Sequence, residues 1–202
     1  MKKIMDENML ILASLSSYRA QLLDKAGLKF SIEGASFDER KVEEKVKTKT
    51  PKETSCFLAS SKAKDVSKRF PHALVIGCDQ ILDLDGQIFH KVSDIKEAHQ
   101  RLRALSGKTH SLHSAIALVK NGQEIWVEAF SAHMTVRSLS SEFIERYLTR
   151  VGADVLKSVG VYQIEKEGIH LFDKIEGDFF TIIGLPLLPL LAKLRHLGVI
   201  DG

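Results

Sequence analysis

The sequence predicts an α/β fold: one mixed β-sheet with helices packed on it. Three observations point there. Leu10-Ile11-Leu12-Ala13 and Ala73-Leu74-Val75-Ile76-Gly77-Cys78 are short continuous apolar runs, the mark of strands covered on both faces. Each lies beside a stretch with helical spacing, so strands and helices alternate in the first half. In the second half Asn121-Gly122 separates two strand-like stretches, the strongest short signal for an antiparallel hairpin.

The elements follow in order. The first strand ends in Ser14-Leu15-Ser16-Ser17, a helix-capping run, and Ala20, Leu22, Leu23 and Ala26 then share a helical face that Gly27 closes. A short strand is expected over Lys29 to Glu33. From Arg40 to Lys52 basic residues interleave with Glu43 and Glu44 and no aromatic intervenes, which reads as a solvated loop rather than a nucleic-acid arm. Thr50-Pro51-Lys52-Glu53 is a capping box with proline at the first helical position, opening a helix to about Arg69. The run ending at Cys78 is the next strand and Asp85-Gly86 a turn. A helix follows from Ser93 to Leu105, closed by Gly107. Strands are expected over Thr109 to Val119 and Glu124 to Arg137, a helix from Ser140 or Ser141, a strand over Gly168 to Ile175 and a last helix over Leu185 to Leu197.

Composition narrows the function classes. A chain of 202 residues, 44% hydrophobic and 27% charged, reads as one domain, 1–202, with a true core. The net charge is +3 and the pI near 8.8, a mild excess that suits anionic small ligands as well as nucleic acid. Charges crowd the first seven residues, where a signal peptide would be apolar. The longest apolar run, Phe179 to Ala192, is broken by Gly184, Pro186 and Pro189 and falls short of the ~20 residues a membrane span needs. Cys56 and Cys78 lie in unrelated contexts and read as free thiols. The expectation is a cytoplasmic protein with no membrane and no nucleic-acid partner.

Asp79 is the leading candidate for chemistry. It follows an apolar strand, where open α/β sheets form their ligand crevices, and Gln80-Ile81-Leu82 after it does not start a helix. The Ser14–Ser17 run could hold a phosphate at a helix N-terminus with Arg19 beside it, although a plain serine cap explains the pattern more simply. Lys62 and Lys91 alone carry little signal. His110 and His113, three apart on a strand, point to opposite faces and make a poor metal pair. Cys78 reads as a small buried hydrophobe. The glycines form neither a GxGxxG nor a Walker motif.

Several motifs occur in a fixed order: Leu10-Ile11-Leu12-Ala13-Ser14-Leu15-Ser16 with Arg19, Asp38-Glu39, Leu58-Ala59-Ser60-Ser61-Lys62-Ala63, Val75-Ile76-Gly77-Cys78-Asp79-Gln80, Leu84-Asp85-Gly86, Leu105-Ser106-Gly107-Lys108-Thr109-His110, Ile175-Glu176-Gly177-Asp178-Phe179 and Gly184-Leu185-Pro186-Leu187. Taken together, they resemble those of the Maf family of nucleoside triphosphate pyrophosphatases. Their order and spacing are specific where each alone is weak. The resemblance implies an inosine-triphosphatase-like fold with a ligand cleft between two lobes. It implies a hydrolase acting on an acid anhydride, cutting a nucleoside triphosphate into monophosphate and diphosphate. It assigns Asp79 as the catalytic acceptor and Glu39 with Asp79 as ligands of a divalent cation, Mg²⁺ or Mn²⁺, which suits hard oxygen donors. Ser14, Arg19, Lys62 and Lys91 match the phosphate-binding positions. The sequence departs from the family at Ser17, where proline is usual, and around His90-Lys91-Val92, where a glycine and a proline have been lost. The usual lysine near Ser158 is displaced or absent, with Lys157 one step away.

Three positions that set base choice in the family are Tyr18, Gln80 and Glu165 here. That pattern resembles the branch acting on 7-methyl-GTP. A cationic 7-methylguanine can stack on tyrosine, for about 0.5–2 kcal/mol. A carboxylate can accept from the guanine N1–H and exocyclic amine, a pair of donors that uracil and thymine lack. The expected role is clearance of modified or non-standard nucleotides, in a protein for which a homodimer is compatible. Two alternatives stand beside it: a dTTP/UTP pyrophosphatase of the same family, and a regulatory binding protein acting on cell division and septum formation.

Overall fold

The computed structural model describes residues 9–36, 46 and 49–201. Its centre is a seven-stranded mixed sheet in the order β2-β1-β3-β5-β6-β7, with β4 also paired to β3. The strands are β1 (Leu10–Ala13), β2 (Ser31–Ile32), β3 (Leu74–Leu84), β4 (Gln87–Phe89), β5 (Thr109–Lys120), β6 (Gln123–Val136) and β7 (Phe172–Glu176). β1 runs parallel to β2 and β3, and the β3–β5, β5–β6 and β6–β7 pairs are antiparallel. The mixed α/β architecture expected from the sequence is the one observed.

The helices are α1 (Ser17–Lys25), α2 (Pro51–Arg69), α3 (Ile95–Leu105), α4 (Ser141–Val151), the short α5 (Phe179–Ile182) and α6 (Leu187–His196). Helix α2 lies across one sheet face. Its Ala59, Ala63 and Val66 meet Ile11, Ala13, Val75, Ala115 and Ala117, a contact kept close by small residues. The approach is tightest at Gly77, where a Cβ would fall 2.0 Å from the Ala59 carbonyl oxygen, so glycine is required. The capping box at Thr50 and Glu53 is formed in both directions.

The opposite face carries two separate cores. One joins Leu10, Ile76, Cys78, Ile116 and Leu118 to Leu23 of α1 and Leu190 and Leu194 of α6. The other joins Leu82, Leu112 and Met134 to Leu102 of α3 and Tyr147 of α4. Along β3 the inward residues therefore switch core between Cys78 and Leu82, and Gln80 sits at the switch. Its amide nitrogen donates to Ser114 Oγ (2.9 Å) and to the carbonyls of Thr181 (3.1 Å) and Ile182 (2.9 Å). This polar belt divides the molecule into two halves, and a cleft opens between them.

Several expected boundaries shift. Asp79 does not end its strand: β3 continues to Leu84 because β5 and β4 supply antiparallel partners beyond it. The parallel pairing with β1 stops at Ala13↔Gly77, so Asp79 lies where the sheet loses a neighbour rather than where its own strand ends. The strand expected over Lys29 to Glu33 shrinks to Ser31–Ile32. Glu167–Leu171 forms a 3₁₀ turn, and β7 begins only at Phe172. Asp94, not Ser93, caps α3, and α6 starts after Pro186. β4 and α5 have no counterpart among the expected elements.

Candidate active site

The cleft has a volume of about 630 Å³, within the range of small-molecule sites. Ser14, Tyr18, Arg19, Lys62, Asp79, Gln80, Lys91 and Glu165 all line it. These residues come from the β1–α1 junction, α2, β3, the segment after β4 and the loop following the 3₁₀ turn Gly152–Lys157. Glu39, the remaining expected site residue, lies outside the described residues.

Asp79 and Lys62 form the centre. Lys62 Nζ donates to Asp79 Oδ1 at 2.7 Å, and both side chains are about nine-tenths buried. Helix α2 places Lys62 there because Ala59 and Ala63 seat that face directly on β3. The pair leaves Oδ2 as the Asp79 oxygen available to a cation or a water. One carboxylate oxygen beside phosphate oxygens is a donor set that Mg²⁺ accepts, so Asp79 fits a cation ligand. Among the described residues, no group of three or more histidine, cysteine or acidic side chains converges on a metal site.

Arg19 is fixed from three directions. Its Nε donates to the Gly184 carbonyl (2.8 Å), and Nη1 donates to Ser14 Oγ (3.1 Å) and the Cys78 carbonyl (3.2 Å). Ser14 Oγ also accepts from the Ser16 backbone N–H. Ser16 is the N-cap of α1 but makes no side-chain cap bond, so the run is not a plain serine-capped helix start. The outcome is a turn whose serine and guanidinium are turned on each other at the cleft wall. Such an arrangement is preorganised for an oxyanion. Lys91 reaches the cleft from an exposed position on the segment after β4.

The opposite corner is set up differently. Tyr18 Oη accepts from the amide of Gln163, a buried residue. Partial burial and the charges of Glu165 and Asp154 push the Tyr18 phenol above its ordinary range, while Lys157 opposes them. Glu165 lines the same cleft and is exposed. Gln80 differs: its amide nitrogen is committed to the polar belt, which leaves its carbonyl oxygen as the group for a ligand. Lys157 lines the cleft and pairs with Asp154 at 2.8 Å.

The histidines separate as expected. His110 is buried against Tyr162 and Phe172, with Nε2 2.6 Å from Tyr162 Oη, and burial pushes it down to about 4. His113 sits on the other face, its Nδ1 at 2.8 Å from Ser131 Oγ and its Nε2 at 3.6 Å from Asp83. Cys78 is fully buried and its thiol is pushed up to about 11 by burial. Gln163 and Tyr162 also line the cleft, and no motif in the sequence singles them out.

Residues 9–197 match the model of the Maf-like protein family. The chain belongs to the Maf family. Among this Maf protein's relatives, one from Bartonella henselae, named 7-methyl-GTP pyrophosphatase, is 80% identical over 96% of this chain and 98% of its own. A relative of the same name from Rhizobium etli is 55% identical over 96% of this chain and 98% of its own. A solved nucleoside-triphosphatase, a dITP/XTP pyrophosphatase of Mycobacterium abscessus, is similar over 65% of this chain and 75% of that one. Its identity is 14% and its TM-score 0.39, too partial a likeness to bear on the site. Among the described residues no helix is long and apolar enough to cross a membrane.

Proposed function

We propose that this Maf protein is a nucleoside triphosphate pyrophosphatase that favours guanine-type bases, 7-methyl-GTP above all. The observation that carries the reading is the convergence on one cleft of the buried Lys62–Asp79 pair, Arg19 and Lys91. Hydrolysis between the α- and β-phosphates asks little covalent work of the protein. It needs cations around growing negative charge, a held water and a proton acceptor. Here Asp79 accepts the proton of a water as its oxygen bonds to the α-phosphorus. The bond from that phosphorus to the bridging oxygen breaks, and diphosphate leaves with the electron pair. Lys62, Lys91 and Arg19 take up the charge on the phosphate oxygens, and Ser14 helps fix the arginine. A divalent cation held by Asp79 and Glu39 would supply further neutralisation of the phosphates.

Base choice rests on the other corner. Tyr18 offers an aromatic face to a cationic purine, and Glu165 an acceptor for two adjacent donors. The names of the relatives support the same substrate. The test is a metal-supplemented panel of 7-methyl-GTP, GTP, ITP, UTP, dTTP and CTP with the products identified. Monophosphate plus diphosphate, fastest from 7-methyl-GTP, is expected. Preference for UTP or dTTP would overturn the base assignment, and nucleoside diphosphate plus orthophosphate would overturn the reaction.

A further inference from the structure

The segment His90-Lys91-Val92 carries a cleft-lining lysine between β4 and α3 without a proline to stiffen it. Part of what holds it comes from α3. Arg101 Nη2 donates to the His90 carbonyl at 2.8 Å, the carbonyl of the residue just before Lys91. Arg101 Nη1 donates to the Val159 carbonyl, on the cleft wall that also carries Gln163 and Glu165. Between them the guanidinium lies over the Phe89 ring, 4.4 Å from its centroid. Val92 is buried on the far side of the lysine. The backbone on both sides of Lys91 is thus fixed, on one side by a side chain outside the cleft.

We propose that Arg101 is a positioning residue that sets the reach of Lys91 into the cleft. The proposal rests on the reading of Lys91 as a phosphate-binding cation. A planar fork can hold two carbonyls at once and stack on a ring, which a lysine's single ammonium cannot reproduce. Loss of the fork removes this hold on the His90 carbonyl and lets the Lys91 backbone shift. Displacement of a charged group by even about 1 Å is enough to slow a reaction that depends on its placement.

The test is a double-mutant cycle on kcat/KM for 7-methyl-GTP, using the whole chain and the variants Arg101→Met, Lys91→Ala and both together. Methionine keeps an apolar stem on Phe89 and removes both donors, and circular dichroism checks that each variant is folded. Arg101→Met should lower kcat/KM about 10-fold when Lys91 is present and less than about twofold when Lys91 is already alanine. Arg101→Lys, which keeps the charge but not the fork, should fall between wild type and Arg101→Met, and it replaces Arg101→Met in the cycle if that variant does not fold. Equal losses in the two Lys91 backgrounds would overturn the proposal while leaving Lys91 in its role. Full activity of Lys91→Ala would show instead that the reading of Lys91 is wrong, and the proposal would fall with it.

Discussion

Asp79→Asn is the perturbation whose consequences the structure defines most fully. Asparagine keeps the size of the side chain and an oxygen that can accept from Lys62, but it removes the proton acceptor and half of a buried ion pair. Loss of a general base costs 10²-fold or more in kcat, roughly 3 kcal/mol or more of barrier. The stability effect is separate. Removing one partner of a buried pair outright costs about 3–5 kcal/mol, because the other charge is left without compensation. The retained amide oxygen at 2.7 Å offsets part of that, so a loss of about 2 kcal/mol is expected. For a chain of this size each kcal/mol moves the melting temperature by roughly 2–4 °C, giving a fall of about 4–8 °C. Steady-state rates with 7-methyl-GTP and a thermal melt of the same sample check both parts. Full activity would mean that the water is activated elsewhere. An unchanged melt would mean that the Lys62–Asp79 pair contributes nothing to the fold.

Other expectations follow from single features. Tyr18→Leu should cost 7-methyl-GTP up to about 2 kcal/mol in kcat/KM relative to plain GTP, since only the methylated ring is cationic. Glu165→Gln should slow both guanine nucleotides and relax the rejection of UTP; equal losses for 7-methyl-GTP, GTP and UTP in both variants would withdraw the base assignment. Gly77→Ala should destabilise by roughly 1–3 kcal/mol in a denaturant titration and reduce activity, because the added Cβ pushes on the Ala59 backbone one turn from Lys62. His110 has a pKa near 4 in the folded chain against an ordinary value of 6.5, so the unfolded state binds the extra proton between those values. Its contribution is complete above pH 6.5 and is lost as pH falls towards 4, by roughly 3 kcal/mol. Denaturant titrations at pH 7 and 4.5 should show a smaller pH dependence in His110→Gln than in wild type.

Much of the fold is legible where one local rule governs. The apolar runs at Leu10 and Leu74 gave buried strands, and Thr50 to Glu53 and Asn121-Gly122 marked a helix start and a hairpin through local chemistry alone. The errors fall where tertiary pairing decides. β3 runs on through Asp79-Gln80 because β5 pairs with it, and two polar residues in the sequence look like an end. Gly168 to Leu171 looks like strand by composition, yet Gly168 lies so close to the Gln163 backbone that a Cβ would meet it at 2.5 Å. The site residues that match family motifs were legible by resemblance. Arg101 and Gln163 were not: Arg101 bonds the carbonyls of His90 and Val159, 11 and 58 positions away, and Gln163 bonds Tyr18, 145 positions away, and no motif in the sequence marks these pairings.

In the proposed reaction water attacks the α-phosphorus in the cleft centred on Asp79. Hydrolysis of 7-methyl-GTP in ¹⁸O-labelled water, with both products weighed by mass spectrometry, tests it most directly. One labelled oxygen in 7-methyl-GMP and none in the diphosphate is the expected result. Label in the diphosphate would place the attack on the β-phosphorus, and the mechanism built on Asp79 and its lysine would be contradicted.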